Sequence, residues 1–208
     1  MIEYSLYLCY NANYKYTCAL KFKLLTSEGG GRSEVSNLKY DKEYCCCFFG
    51  HRKITKTEEL RDKLYAVVEN LIKDYEVYTF LFGSKSEFDD LCFSIVTKLK
   101  EKYPHIQRIY VRSAFADIDD SYTNYLLEMY EGTYFPEKIR KSGKASYVER
   151  NQEMINKSKF CVVYYDESYL PPRRRNSRRD LIDYQPKSGT KLAYDYAVKK
   201  ELTIINVF

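Results

Sequence analysis

Short apolar runs alternate along this chain with longer stretches whose apolar positions recur at the period of a helix. Tyr44 to Phe49 is the first apolar run, and it ends in Gly50-His51-Arg52. Thr55-Lys56-Thr57-Glu58 then reads as a capping box that opens a helix to about Asp74, with Leu60, Leu64, Val67, Val68, Leu71 and Ile72 on one face. Val77 to Phe82 predicts a second strand, closed by Gly83-Ser84. Ser84 with Glu87 forms another capping box, for a helix running to about Lys102 before Pro104. A third strand is expected over Ile106 to Val111, closed by Arg112-Ser113, and a helix from Asp117 to Tyr130, broken around Gly132.

The second half repeats the alternation. Lys144 to Lys157 is helical by pattern, with Tyr147, Met154 and Ile155 expected inward. Phe160 to Tyr165 is the fourth strand, followed by a Pro- and Arg-rich loop. Lys187-Ser188-Gly189-Thr190 then opens a helix to Lys200, on which Leu192, Ala193, Tyr196, Ala197 and Val198 are expected to pack on a sheet. Leu202 to Val207 is the last strand. Strands alternating with helices in this way imply βαβ crossovers: an α/β fold with a doubly wound, mostly parallel sheet and helices on both faces. The apolar runs are continuous, as strands buried on both faces should be.

Residues 1–43 break the pattern. They are rich in Tyr and Lys, keep no period and contain Gly29-Gly30-Gly31, so a peripheral or poorly ordered segment is expected there, ahead of a domain over 44–208. Ser27 to Glu34 also reads as an in-frame translation of a purine-rich ribosome-binding sequence, which would place the start of translation at Val35 or Leu38.

Composition narrows the class. A chain of 208 residues, 45% hydrophobic and 30% charged, suits one α/β domain with an appendage. No apolar run approaches the ~20 residues that cross a bilayer, and the N-terminus lacks the features of a secretory signal, so a cytoplasmic protein is expected. The seven cysteines are odd in number, and Cys45, Cys46 and Cys47 are consecutive, which a strand would point to alternating faces. With no C-x-x-C pair and only His51 and His105 as imidazoles, the reading is free buried thiols and no metal. Asp117, Asp119 and Asp120 lack the glycine and closing glutamate of a calcium loop. The net charge of +5 is local: removing Arg173, Arg174, Arg175, Arg178 and Arg179 from the 34 basic side chains leaves them equal to the 29 acidic ones.

Ligands of open parallel sheets bind beyond the carboxyl ends of the strands. Here those ends are small, polar or basic: Gly50-His51-Arg52, Gly83-Ser84, Arg112-Ser113 and Tyr165-Asp166, joined by the turn Ser188-Gly189-Thr190. Helix N-termini at Ser84 and Thr190 would favour negative charge by about 0.3–1 kcal/mol each. Gly189 admits a ligand close to the backbone, while Ser188 and Thr190 offer hydroxyls for phosphate oxygens or for capping. Ser86 can cap its helix or, with Gly83, touch phosphate. Arg52, Arg112 and Arg150 can neutralise an anion, the guanidinium fork being suited to phosphate. Asp89 and Asn151 can select a sugar, and His51 can act as acid, base or donor.

The block Cys47-Phe48-Phe49-Gly50-His51-Arg52 resembles the Thr-Gly-His-Arg opening of the YpsA-like branch of the SLOG superfamily. Glu149-Arg150-Asn151 with Met154 and Ser158, the apolar strand after it, and Ser188-Gly189-Thr190 resemble matching segments of LOG proteins and their DprA/Smf relatives. The resemblance covers about residues 44–208 and implies a Rossmann-like domain that binds a nucleotide or nucleotide-derived small molecule. By the same resemblance the role would be sensing or sequestering a signalling nucleotide, for example in bacterial or phage defence. In LOG enzymes, which release a base from nucleoside monophosphates, the Gly-Thr turn is followed by a catalytic glutamate. That position is Ala193 here, and the double glycine ahead of the turn is missing, whereas Arg150 matches.

Two alternatives stand beside a nucleotide binder. An N-glycosidic hydrolase would need a carboxylate, a role left to Glu149 or Asp89. A single-stranded nucleic-acid-binding protein, by analogy with DprA, would use the arginine loop and the plentiful tyrosines. The loop has three accounts: a solvated stretch, a lid over a polyphosphate, or a strand-binding segment. No cofactor or membrane is called for, and self-association is left open.

Overall fold

The computed structural model describes residues 41–83, 86–114, 118–139, 143–171 and 186–208. The N-terminal segment 1–40, Ser84, Asp117 and the arginines from Arg173 to Arg179 lie outside the described residues.

A 3-10 turn over Lys42–Tyr44, capped by Asp41, leads into β1, Cys45–Gly50. The elements that follow are α1 (Glu58–Asp74), β2 (Thr79–Phe82), α2 (Glu87–Lys102), β3 (Gln107–Val111) and α3 (Asp120–Met129). Then come β4 (Gly132–Tyr134), α4 (Lys144–Asn156), β5 (Phe160–Tyr164), α5 (Gly189–Lys199) and β6 (Thr203–Asn206). All six strands are parallel, in the order β4-β3-β2-β1-β5-β6. The expected α/β, Rossmann-like sheet is therefore present. Its winding reverses between β1 and β5, where Cys47 lies opposite Cys161 and Gly50 opposite Tyr164.

Alternation along the strands builds two cores. Cys46, Phe48, Phe80, Phe82, Phe160 and Val162 face α1 and α2, meeting Leu64, Val68, Phe88 and Ile95. Cys47, Phe49, Leu81, Cys161 and Val163 face α4 and α5, meeting Met154, Ile155, Ala193 and Ala197. Cys46 and Cys47 thus take opposite faces, as strand geometry requires. All five described cysteines are free and buried.

Several local expectations are corrected. Thr57, not Thr55, caps α1 by accepting from Leu60 N–H at 3.1 Å. Ser86 caps α2, accepting from Asp89 N–H at 3.1 Å. Ile54 N–H donates to the Glu87 carboxylate at 3.1 Å, tying the β1–α1 loop to α2. Helix α3 begins after Asp119, which accepts from Tyr122 N–H at 2.7 Å, and the short β4 follows where only a break was expected.

Tyr147 is half exposed rather than inward. The buried face of α4 is Ser146, Arg150, Met154 and Ile155, and Tyr147 lies at the edge of that face. On α5 the buried positions are Thr190, Ala193 and Ala197. Their small side chains set this helix close to the sheet and leave Leu192 and Val198 exposed on its flanks.

Candidate ligand-binding site at the carboxyl edge of the sheet

The strand ends carry the predicted residues to one edge of the sheet, in three groups. The first surrounds Arg150. Its side chain is 3% exposed, and its guanidinium donates through Nη1 to the carbonyl oxygen of Gly83, just past β2. Nε donates to Asn151 Oδ1 at 3.1 Å, and the guanidinium lies 5.6 Å from the Tyr147 ring. A Cβ on Gly83 would stand 2.8 Å from Arg150 Cδ and 2.8 Å from the Val111 carbonyl oxygen, so only glycine admits this approach. Burial pulls Arg150 below the usual guanidinium range, and the neighbouring Tyr110, Asp89 and Tyr147 pull it partly back. Asp89 and Arg112 are also buried here, at 4% and 5% exposure. Arg112 N–H donates to the Tyr134 carbonyl at 2.9 Å. These groups form an inward-facing polar cluster that joins α4 to the ends of β2 and β3.

The second group is the first turn of α5. Ser188 caps it by accepting from Lys191 N–H at 3.0 Å. Gly189 is exposed, with nothing within 4 Å of where a Cβ would stand. Gly189, Ala193, Asn151 and Gln152 line a shallow dent between α4 and α5, so the turn and Asn151 do come together. Ala193 is 3% exposed and packed in the core, and no carboxylate occupies the position that the LOG resemblance marks as catalytic. Glu149 is half-buried on α4. Lys191 Nζ donates to Tyr165 Oη at 3.1 Å and pairs with Asp195 at 3.4 Å, while Lys187 pairs with Asp195 at 2.8 Å. Both contacts raise Lys191 above its ordinary value, the Tyr165 hydrogen bond more than Asp195.

The third group lies at the reversal of the sheet. An open cleft of about 350 Å³ sits between the ends of β1 and β5. His51, Tyr164, Tyr169 and Phe208 contribute rings to it, and Lys53, Ile54, Thr55 and Asp166 complete its lining. His51 is 6% exposed. Asp166 N–H donates to its Nε2 at 3.1 Å. The Tyr169 ring lies 4.3 Å from the imidazole, and Tyr164 meets it edge-on at 6.2 Å. Burial lowers the His51 pKa, and Asp166 offsets this in part. Asp166 is itself held below the usual carboxylate value, chiefly by the Ser168 hydroxyl. Arg52 is exposed beside the cleft, and its carbonyl accepts from Glu87 N–H at 3.0 Å. Gly50 packs against Phe88, whose ring a Cβ there would overlap.

Of the predicted residues, only His51 lines this cleft. Tyr165-Asp166 stood out as a strand end, but Lys53, Thr55, Tyr169 and Phe208 carried no signal, because they come from three distant segments. Among the described residues no group of three or more His, Cys, Asp or Glu side chains gathers to hold a metal. Nor is any described helix long and apolar enough to cross a membrane.

No family profile matches the chain. A Bacillus subtilis (strain 168) protein, the uncharacterized SPbeta prophage-derived protein YoqJ, is 27% identical over 147 residues, spanning 62% of this chain and 82% of that one. DNA processing protein A (DprA) from Streptococcus pneumoniae aligns with a TM-score of 0.48 at 14% identity, over 80% of this chain and 50% of that one. DprA from Helicobacter pylori, a structure described for its single-stranded DNA binding mode, aligns with a TM-score of 0.49 at 15% identity, over 78% and 64%. The chain thus spans half the length of the first DprA and less than two thirds of the second. None of these carries the expected YpsA-like branch.

Proposed function

We propose that the chain binds a nucleotide or nucleotide-derived small molecule across the carboxyl edge of the sheet, as a sensor or sequestering protein. The observation that carries this reading is the open cleft at the reversal between β1 and β5, the place where open parallel sheets take ligands. The SLOG resemblance of Gly50-His51-Arg52 and Ser188-Gly189-Thr190 supports it. The ligand would run from the cleft past Tyr165, whose ring centroid is 6.4 Å from that of His51, to the first turn of α5. There Gly189 leaves space, and Lys187 and Lys191, which share the single carboxylate of Asp195, leave a net positive charge for a phosphate.

In this arrangement Arg150 and Gly83 hold α4 against the ends of the strands, and Asn151 faces the α5 turn. Asp89 is buried, close enough to Arg150 to raise its pKa, and does not line the cleft, so binding is preferred to hydrolysis.

The test is calorimetric titration of the purified chain with nucleoside monophosphates and, separately, with oligothymidylate. Saturable binding of one monophosphate, with no free base after incubation, is the expected result. Release of base would establish the hydrolase instead. Affinity confined to the oligonucleotide and falling steeply with salt would replace the reading with single-strand binding.

A further inference from the structure

The hydrogen bond between His51 and Asp166 settles which imidazole nitrogen carries the proton. A backbone N–H can only donate, so Nε2, which receives it at 3.1 Å, holds a lone pair. The imidazole is then neutral with its proton on Nδ1. That Nδ1–H belongs to a residue that is 6% exposed and lines the cleft. An acceptor placed in the cleft can take that proton.

The rest of the cleft describes the molecule that brings the acceptor. Tyr169 is 43% exposed and Phe208 61% exposed, both at the rim of the same hollow. Phe208 stands edge-on to Tyr164 at 5.2 Å, so the two rings form a corner into which a flat ring can slide. A volume of about 350 Å³ is at the small end of ligand pockets, which run from about 300 to 1,000 Å³. It has room for one base with its sugar. Asp166, whose carboxylate takes Ser168 N–H at 2.8 Å and the Ser168 hydroxyl at 2.6 Å, adds acceptor oxygens to the lining. Flat, heteroaromatic and carrying donors and acceptors along one edge is the description of a nucleobase.

We propose that the cleft is the base-binding end of the site, with His51 donating Nδ1–H to a ring nitrogen or carbonyl of the base and Tyr169 stacking on it. This rests on the nucleotide reading above and adds to it the seat of the base and the residue that reads it. His51 is a binding residue in this scheme.

Adenosine, guanosine, cytidine and uridine monophosphates, with ribose 5-phosphate as the baseless control, test the idea by calorimetry on the full chain. Wild type is expected to bind one monophosphate at least about tenfold more tightly than ribose 5-phosphate, and that ligand should shift the His51 Nδ1 resonance in nitrogen NMR. His51→Phe, which removes the donor, and Tyr169→Ala, which removes the stack from an exposed position, should each lose about tenfold in affinity. His51→Asn places an amide N–H near Nδ1 and should retain most of it. Ribose 5-phosphate binding as tightly as every monophosphate would overturn the base seat. So would Tyr169→Ala and His51→Phe proteins that bind like wild type, and in both cases nucleotide binding itself would survive. A wild-type chain that binds none of the four monophosphates would end both proposals.

Discussion

The guanidinium of Arg150, midway along α4, donates to the carbonyl oxygen of Gly83 at the end of β2. That contact depends on the missing side chain of Gly83, since a Cβ would press on Arg150 Cδ and on the Val111 carbonyl, each at 2.8 Å. One of the two neighbours is backbone within the sheet and has little freedom to yield. Gly83→Ala is therefore expected to lower stability by about 1–3 kcal/mol, as overpacking does. Urea denaturation with a midpoint unchanged from wild type would contradict it.

Arg150→Met separates a positioning role from a phosphate clamp. Truncating the guanidinium leaves the Gly83 carbonyl without this donor in a buried place, an effect of about 1–3 kcal/mol. The expected outcome is a lower melting temperature with a matching loss of nucleotide affinity that recovers on cooling. Lost affinity at unchanged melting temperature would show instead that Arg150 holds the ligand directly.

Stability should also depend on pH through the two histidines. Burial lowers His51, with Asp166 opposing, and burial with nearby Lys100 lowers His105. A histidine whose folded pKa is depressed takes up its proton more readily in the unfolded chain. The stability it contributes is complete above the ordinary value of 6.5 and is lost as pH falls through the lower folded value. Denaturation midpoints are expected to hold between pH 8 and 7 and then decline toward about pH 5. His51→Phe should remove part of that slope and leave the His105 share. The carboxylates that are lowered in the fold, Glu131 and Asp195 among them, lose their contribution only at still lower pH. A flat profile down to pH 5 would refute this account.

Gly189→Asp is sterically free, because nothing stands within 4 Å of the new Cβ. At the first position of α5 a carboxylate also suits the helix dipole, so stability should be unchanged or raised by about 0.3–1 kcal/mol. Binding of a nucleoside monophosphate should fall sharply, as the new anion faces its phosphate, while binding of the parent nucleoside should be nearly intact. Equal effects on both would place the phosphate away from this turn.

Much of the scaffold was legible because β1, β2 and β5 are buried on both faces, and their runs stand out without any periodicity. The three residues of β4, Gly132-Thr133-Tyr134, make no such run, and their strand exists only through pairing with Ile109, Tyr110 and Val111. The caps moved by two residues at both Thr57 and Ser86. In each case two hydroxyls compete locally, and a tertiary contact, Glu87 reaching Ile54, favours the arrangement seen. Arg150 was visible as a candidate, but its burial was not, because a stripe of Ser146, Arg150 and Met154 does not look apolar. The cleft was the hardest feature to read. Its walls come from the ends of β1 and β5 and from Phe208, and no local pattern links them.

The run Cys45-Cys46-Cys47 lies in the middle of the sheet and sends thiols to both of its faces. Burial pushes Cys45 up to about 12 and holds Cys46 and Cys92 well above the ordinary thiol value. Cys161 is raised by its hydrogen bond with Cys47 as well as by burial. Alkylating reagents attack thiolate, and thiolate is scarce at Cys45, Cys46, Cys92 and Cys161 while the strands are paired. The rate at which iodoacetamide marks them therefore clocks how often the interior comes apart, and a ligand that braces the β1–β5 seam should slow that clock.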